Sequence, residues 1–369
     1  MNNIPHPSRL LPFALTDIIN RVSAEAEQSG RLHPEQLALI YEQRWFNLFV
    51  PRSCGGLELS LPEGLAIEEG LAWADGSTGW TVTLCSGANW FIGFLQPEIT
   101  KDLFRDHRVC LAGSGHSSGI AKVTATGYEI SGYWNYASGA PHATAFTANC
   151  RIEKDGILLQ NQDGSPLVHA FLFLKEEVFL HEDWNCMGMI ATASHSFEVQ
   201  RQQVPADRCF TIDDSNPVLS QSIYRYPFLQ FAEATLAVNS SGMAARFMDL
   251  CEGIFAEKAK HPGNLAGTGT PMQRLEEAKM RLQALRQSFY TAVESSWLEC
   301  LEGRPWQQAL LKEVSEASRR LATEARALVD ELYPWCGLKA ANRSTEINRV
   351  WRNLHTASQH PLLMPQNHP

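Results

Sequence analysis

Gly132-Tyr133-Trp134-Asn135-Tyr136-Ala137-Ser138-Gly139 alternates aromatic with small or polar residues, and that alternation decides the middle of this 369-residue chain. Side chains two apart share one face of a strand. The spacing therefore predicts Trp134 and Tyr136 on a common face, with Ser138 two residues further along it. Similar short runs, rich in β-branched and aromatic residues and separated by Gly, Asp and Pro, predict strands over Val109–Ala112, Ala121–Tyr133, Thr144–Ile152, Val168–Leu174, Val178–Leu180 and His195–Val204. No helical stretch of useful length interrupts them, so residues 107–215 read as one antiparallel β unit and not as βαβ repeats.

On both sides of this unit the period changes to that of helices. Leu15, Ile18, Ile19, Val22 and Ala26 form one apolar stripe that Gly30 ends, and a second helix is expected from Pro34 to about Phe46. Pro51 and Gly55-Gly56 mark a loop. Helices resume around Asp75-Gly76-Ser77-Thr78, which completes a helical unit over residues 1–106. Beyond it, residues 216–369 carry four helical stripes: Leu236 to Ile254, Leu275 to Val293, Leu310 to Leu332, and Ile347 to Ser358. Four helices with short links are expected to form a four-helix bundle. His261 to Thr270, with Pro and three Gly, is the expected loop inside it. The fold class expected is α+β.

Composition excludes several functions. The formal charge of −9 lacks the Lys/Arg clustering that nucleic-acid binding needs. No apolar run of about 18 residues indicates a membrane span. Nine scattered cysteines, never spaced as CxxC, suit reduced thiols in a cytoplasm better than a disulfide framework or a zinc site. The histidines form no HxxxH or HExxH pair, and no carboxylate cluster stands at ligand spacing, so no metal is expected. There is no GxSxG elbow.

Two stretches remain as candidate sites. Gly113-Ser114-Gly115-His116-Ser117-Ser118-Gly119 has the glycines of a phosphate loop, but no Lys-Ser/Thr pair and no helix follow it. It reads either as a bare loop or as a cofactor contact made through serine hydroxyls and main chain. The Trp134, Tyr136 and Ser138 face reads either as core packing or as a platform for a flat ring, with the hydroxyl reaching a ring heteroatom.

The order of helices, β unit and four-helix end resembles the acyl-CoA dehydrogenase superfamily. Asp183-Trp184-Asn185-Cys186-Met187-Gly188-Met189, Ala191-Thr192-Ala193-Ser194-His195, Phe197-Glu198-Val199 and Val204-Pro205 are similar to its run from W-x-x-x-G through T-x-S to a V-P turn. Cys336-Gly337 resembles its late glycine pair with the first glycine replaced. Arg349-Val350-Trp351-Arg352-Asn353 resembles its R-x-x-R-D. Within the superfamily, Asp75 to Trp80, Trp134 to Gly139 and Arg352 to His360 are similar to the D-x-S-x-x-W, W-x-F/Y-x-S-G and R-D-x-x-x-A-x-x-H segments of two-component flavin monooxygenases. Asn353 stands where that branch has Asp, and Gly87-Ala88-Asn89 where a histidine is frequent.

The resemblance implies a flavin, FAD or FMN, held by Ser114, Trp134, Tyr136, Ser138, Thr192 and Gly337. His360 would lie near the oxygen-reactive edge, Ser138 would steady the ring, and Trp80 would shape the pocket. It implies reduced flavin supplied by a separate flavin reductase, a small-molecule substrate, and a homodimer or homotetramer. Two alternatives stay open. One is an FAD-dependent acyl-CoA dehydrogenase, whose base would be Glu233, although the alignment puts Ala232 at that position. The other is a flavin-free binding or assembly protein on the same fold.

Overall fold

The computed structural model describes residues 4–260 and 270–364. The expected loop at His261 to Thr270 therefore lies outside the described residues, apart from Thr270, which caps the helix that follows.

Six helices come first: α1 (Phe13–Arg21), α2 (Ser23–Ser29), α3 (Pro34–Glu42), α4 (Leu61–Ala74), α5 (Gly76–Asn89) and α6 (Pro97–Leu103). The single stripe expected up to Gly30 is broken at Val22, and Gly30 ends α2 in the left-handed conformation, φ 70°. Ser60 and Glu63 form a capping box that starts α4. Asp75 accepts the Thr78 N–H at 2.8 Å and so starts α5 immediately after α4 ends. That abrupt restart presents Trp80 and Thr83 of α5 to the centre of the molecule.

The strands are β1 (Leu111–Val123), β2 (Gly127–Ala137), β3 (Ala145–Lys154), β4 (Ile157–Leu158), β5 (Val168–Leu174), β6 (Phe179–His181), β7 (His195–Pro205) and β8 (Cys209–Phe210). They form one sheet in the order β6-β7-β2-β1-β3-β5-β8, with β4 on β3. The sheet is not uniformly antiparallel, because β1 and β3 pair in parallel from Leu111↔Ala145 to Lys122↔Glu153. The run expected as one strand from Ala121 to Tyr133 is the end of β1 and the start of β2, joined by a tight turn. The Gly113–Gly119 stretch, read as a loop, lies inside β1. Its backbone pairs with β3 up to Ser114 and again from Gly119, with a register shift between. A Gly/Ser composition carries little strand signal, yet a ladder needs only main-chain groups. Trp134, Phe146, Phe171, Phe173 and Phe197 fill a separate small core under the sheet.

The chain ends in α7 (Phe228–Ala259), α8 (Pro271–Glu302), α9 (Gln308–Cys336), a short α10 (Leu338–Ala341) and α11 (Glu346–Ala357). Buried residues surround α7 on every side, because α4, α5, α8, α9 and α11 all pack on it. Gly242 allows a close crossing with α4: a Cβ there would stand 2.4 Å from the Glu69 carbonyl oxygen. The same junction holds a buried ion pair, Arg286 Nε to Glu69 Oε1 at 2.7 Å, and Tyr290 donates to Glu69 Oε2 at 2.9 Å. All nine cysteines are free thiols, including Cys251 and Cys336, whose sulfurs lie 3.3 Å apart.

Among the described residues, no helix is long and apolar enough to cross a membrane, and no group of three or more His, Cys, Asp or Glu is placed to hold a metal.

Candidate active site

Two adjoining cavities lie where the sheet, α5, α7 and the end of α11 meet. The first, of about 630 Å³, is walled by Tyr136, Trp184, Ser138, Ser194, Trp80 and the Gly113–His116 main chain, with His360 at its inner end. The second, of about 230 Å³, lies deeper, between α5 and α7. Leu84, Gly113, Ser114, Gly115, Ser138 and His360 line both, so these residues form the boundary across which two bound molecules would meet.

Four hydrogen bonds in series build the wall at that boundary. Thr192 Oγ1 donates to the Met189 carbonyl at 2.7 Å and lies 2.7 Å from Ser194 Oγ. Ser194 Oγ is 2.8 Å from Ser138 Oγ, which accepts Trp80 Nε1–H at 3.2 Å. A hydroxyl has one proton and two lone pairs. Thr192 spends its proton on Met189, so Ser194 must donate to Thr192 and Ser138 to Ser194. Ser138 is left with one free lone pair, and the direction of the whole chain is set.

His360 follows α11. Its Nδ1 accepts the Leu362 N–H at 3.3 Å, which leaves the ring proton on Nε2. Burial, reinforced by the nearby His116, lowers its pKa to about 4, so the imidazole is neutral at pH 7. Its ring meets Trp80 edge-on, with centroids 6.0 Å apart. The residue is thus a neutral N–H donor at the junction of the cavities.

The segment that carries this wall is tied to α11. Asn353 Oδ1 accepts the Met189 N–H at 2.7 Å, and Arg352 Nη1 donates to the Met187 carbonyl at 2.6 Å. Gly188 is needed for this approach, since a Cβ there would stand 2.2 Å from the Arg352 carbonyl oxygen. Asn353 supplies an acceptor as Asp would, so the departure at this position keeps the bond. Asn89, in the region where a histidine was noted as frequent, instead joins the first helical unit to the sheet. It donates to Asn47 Oδ1 at 2.7 Å and accepts the Leu111 N–H at 2.8 Å.

The residues singled out from sequence separate into three groups. Trp80, Ser114, Tyr136, Ser138 and His360 come together on the cavity walls, while Thr192 sits behind them, joined to Ser138 through Ser194. Trp134 does not reach the cavities. It is fully buried, stacks on Phe197 at 5.2 Å and donates to the Asn149 carbonyl. The expectation of a shared face with Tyr136 fails because Tyr136 adopts φ 69° at a register shift between Trp134 and Ala137, which turns its ring outward. Gly337 ends α9 in a positive-φ conformation beside Lys258 and lines neither cavity of this chain. Glu233 is buried in an ion pair with Arg319 and also lines neither cavity, whereas its neighbour Ala232 faces the second. Ser194 and Trp184 lie within the motifs of the resemblance, which implies no role for either. The T-x-S spacing was the available signal for Ser194, since the left-handed Ala193 brings its hydroxyl back to Thr192. Trp184 is fixed by Nε1–H donation to the Met189 carbonyl at 2.8 Å and packs edge-on against Tyr136.

Residues 234–365 match the family model described as acyl-CoA dehydrogenase, C-terminal domain. A crystal structure of the HsaA monooxygenase from M. tuberculosis superposes with a TM-score of 0.87 at 21% identity, over 95% of this chain and 93% of that one. The chain has an acyl-CoA dehydrogenase-like fold. Among the curated relatives, the indole-3-acetate monooxygenase of Pseudomonas putida is 24% identical over 86% of this chain and 80% of its own. The FADH(2)-dependent resorcinol hydroxylase, oxygenase component, of Rhizobium sp. is 23% identical over 98% of this chain and 93% of its own.

The walls of the first cavity fit a flavin ring. Tyr136 and Trp184 offer apolar faces, while the Gly113–Gly115 main chain and Ser138 offer polar groups at the boundary. Among the described residues no Lys or Arg lines the cavity, so it suits the uncharged ring and leaves the phosphates outside.

Proposed function

We propose that this protein is the oxygenase component of a two-component flavin-dependent monooxygenase, receiving reduced FMN or FAD from a separate reductase and oxygenating a small organic substrate. Reduced flavin, when bound, supplies the electrons that activate O₂. The protein's residues orient it, exclude water and hold protons. Tyr136, Trp184 and the Gly113–Gly115 main chain would hold the ring, and Ser138 would accept a hydrogen bond from it. His360 Nε2–H points a neutral donor at the junction, where oxygen and substrate would meet.

The direction of the hydroxyl chain is the observation that carries this reading. Ser138 keeps a lone pair and no proton for the cavity. Reduction protonates a central ring nitrogen of a flavin and converts it from acceptor to donor, so an acceptor-only wall pairs with the reduced ring and leaves the oxidised one unmatched. The dehydrogenase alternative needs a carboxylate facing the substrate. Glu233 is held by Arg319, and among the described residues no Asp or Glu lines either cavity.

The test is oxygenation under ¹⁸O₂ with chemically reduced FAD or FMN and a panel of phenols and indoles. One ¹⁸O atom in a product supports the reading. Recovery of all the oxygen as hydrogen peroxide with every member, for both flavins, opposes it. Assembly into a homodimer or homotetramer is part of the same proposal.

A further inference from the structure

Cys251 on α7 and Cys336 at the end of α9 face each other in the interior, with sulfurs 3.3 Å apart and both residues buried. Neither lines the two cavities described above. A disulfide bond holds its sulfurs at about 2.05 Å, so the pair needs to close by about an ångström. The end of α9 is built to allow that. Pro334 lies in its last turn and has no N–H, which removes one hydrogen bond of the helical ladder there. Gly337 then ends the helix at φ 65°. Cys251 sits instead within α7, on which α4, α5, α8, α9 and α11 pack. Cys336 is therefore the partner with room to move.

Hydrogen bonding gives the two thiols different parts. Cys336 Sγ–H donates to the Leu332 carbonyl at 3.6 Å, so Cys251 is the donor across the contact between the sulfurs. That donation lowers the pKa of Cys336 from the ordinary thiol value against the effect of burial, and the Lys258 ammonium acts in the same sense. Lys258 is held close by, with Nζ donating to the Trp335 carbonyl at 2.6 Å. The same sulfur contact, followed by burial, raises the pKa of Cys251, which keeps its proton. Gly337 and Leu338, directly after Cys336, are exposed. Fraying of this terminal turn opens Cys336 to a molecule the size of hydrogen peroxide.

We propose that Cys251 and Cys336 are a peroxide-sensitive dithiol, and that its oxidation to a disulfide locks the end of α9 onto α7. The Cys336 sulfur bonds to one oxygen of hydrogen peroxide, the O–O bond breaks, and the thiol proton leaves with the other oxygen as water, giving a sulfenic acid. The Cys251 sulfur then bonds to the Cys336 sulfur, the S–O bond breaks, and the Cys251 proton leaves with the hydroxyl as a second water. Two thiols lose two electrons and one peroxide gains them. Hydrogen peroxide is what O₂ becomes when it takes two electrons and no oxygen reaches a substrate, so the activity proposed above would release this oxidant beside the protein. The dithiol does not depend on that reading, because added peroxide tests it without flavin.

The experiment treats the reduced full chain with one equivalent of hydrogen peroxide, counts thiols in denaturant and maps linked peptides by mass spectrometry. Wild type is expected to fall from nine free thiols to seven, with Cys251 linked to Cys336 and the link removed by dithiothreitol. Joining cysteines 85 positions apart is expected to raise the melting temperature by about 5 °C. Cys251→Ala is expected to stop at the sulfenic acid, trapped on Cys336 by dimedone, and Cys336→Ala to show neither link nor adduct on Cys251. The wild-type peptide map and its reversal decide the matter even where a variant fails to fold. Oxidation spread over the other cysteines, a link between a different pair, or an oxidised protein that melts no higher than the reduced one overturns the proposal.

Discussion

Trp80 on α5 and Ser138 just past β2 are joined by an indole N–H donated to the hydroxyl oxygen at 3.2 Å. This contact couples the helical front of the molecule to the sheet at the boundary of the two cavities, and it heads the chain of donors through Ser194 and Thr192 to the Met189 carbonyl.

Trp80→Phe keeps most of the ring and removes the donor. Ser138 then has a second free lone pair and a looser position. One neutral hydrogen bond is worth about 1 kcal/mol, so affinity for reduced FAD is expected to fall about fivefold, with little change in thermal stability. Fluorescence titration under nitrogen and a melting curve read the two effects.

Thr192→Val removes the hydroxyl that anchors the chain to Met189 and leaves the direction of the Ser138 and Ser194 protons unset. The preference for reduced over oxidised flavin is expected to drop about tenfold, which lowers the midpoint potential of the bound flavin by about 30 mV for a two-electron couple. Spectroelectrochemistry measures it. An unchanged potential would mean that the direction of the hydroxyls does not select the redox state.

His360 binds its proton less tightly in the folded protein than the unperturbed value of about 6.5 expected of the unfolded chain. Between about pH 6.5 and pH 4 the unfolded chain is therefore protonated at this site while the folded one is not. Stability from this residue is lost as pH falls through that window, on the order of 3 kcal/mol in all. Urea unfolding of wild type and His360→Asn at pH 7 and pH 4.5 should show a smaller acid loss in the variant.

Glu233→Gln removes one partner of a buried ion pair and leaves Arg319 without its counter-ion. The expected cost is about 2 kcal/mol of stability, with the affinity for reduced flavin unchanged. No acyl-CoA should bleach oxidised FAD in either protein. Bleaching by wild type, lost in the variant, would restore Glu233 as a base.

How much of this could be read from sequence depends on which physical signal each residue carries. The α7, α8, α9 and α11 stripes were legible because apolar spacing of 3.6 survives whatever the helices pack against. Strand alternation failed at Trp134 and Tyr136, since a register shift reverses which side chain faces in, and the rule of two has no means of seeing it. Ser114 and Gly115 looked like a loop because main-chain pairing with β3 leaves no mark on composition. Ser138 and His360 were found through the resemblance, whereas the bond from Asn239 of α7 to Thr83 of α5 carries no local signal, because it joins residues 156 positions apart.

The most direct test of the account is anaerobic titration of the purified protein with FAD and FMN in both redox states, followed by absorbance and fluorescence. At least one reduced flavin is expected to bind ten or more times tighter than its oxidised form. Equal affinity, or tighter binding of the oxidised flavin, would contradict it.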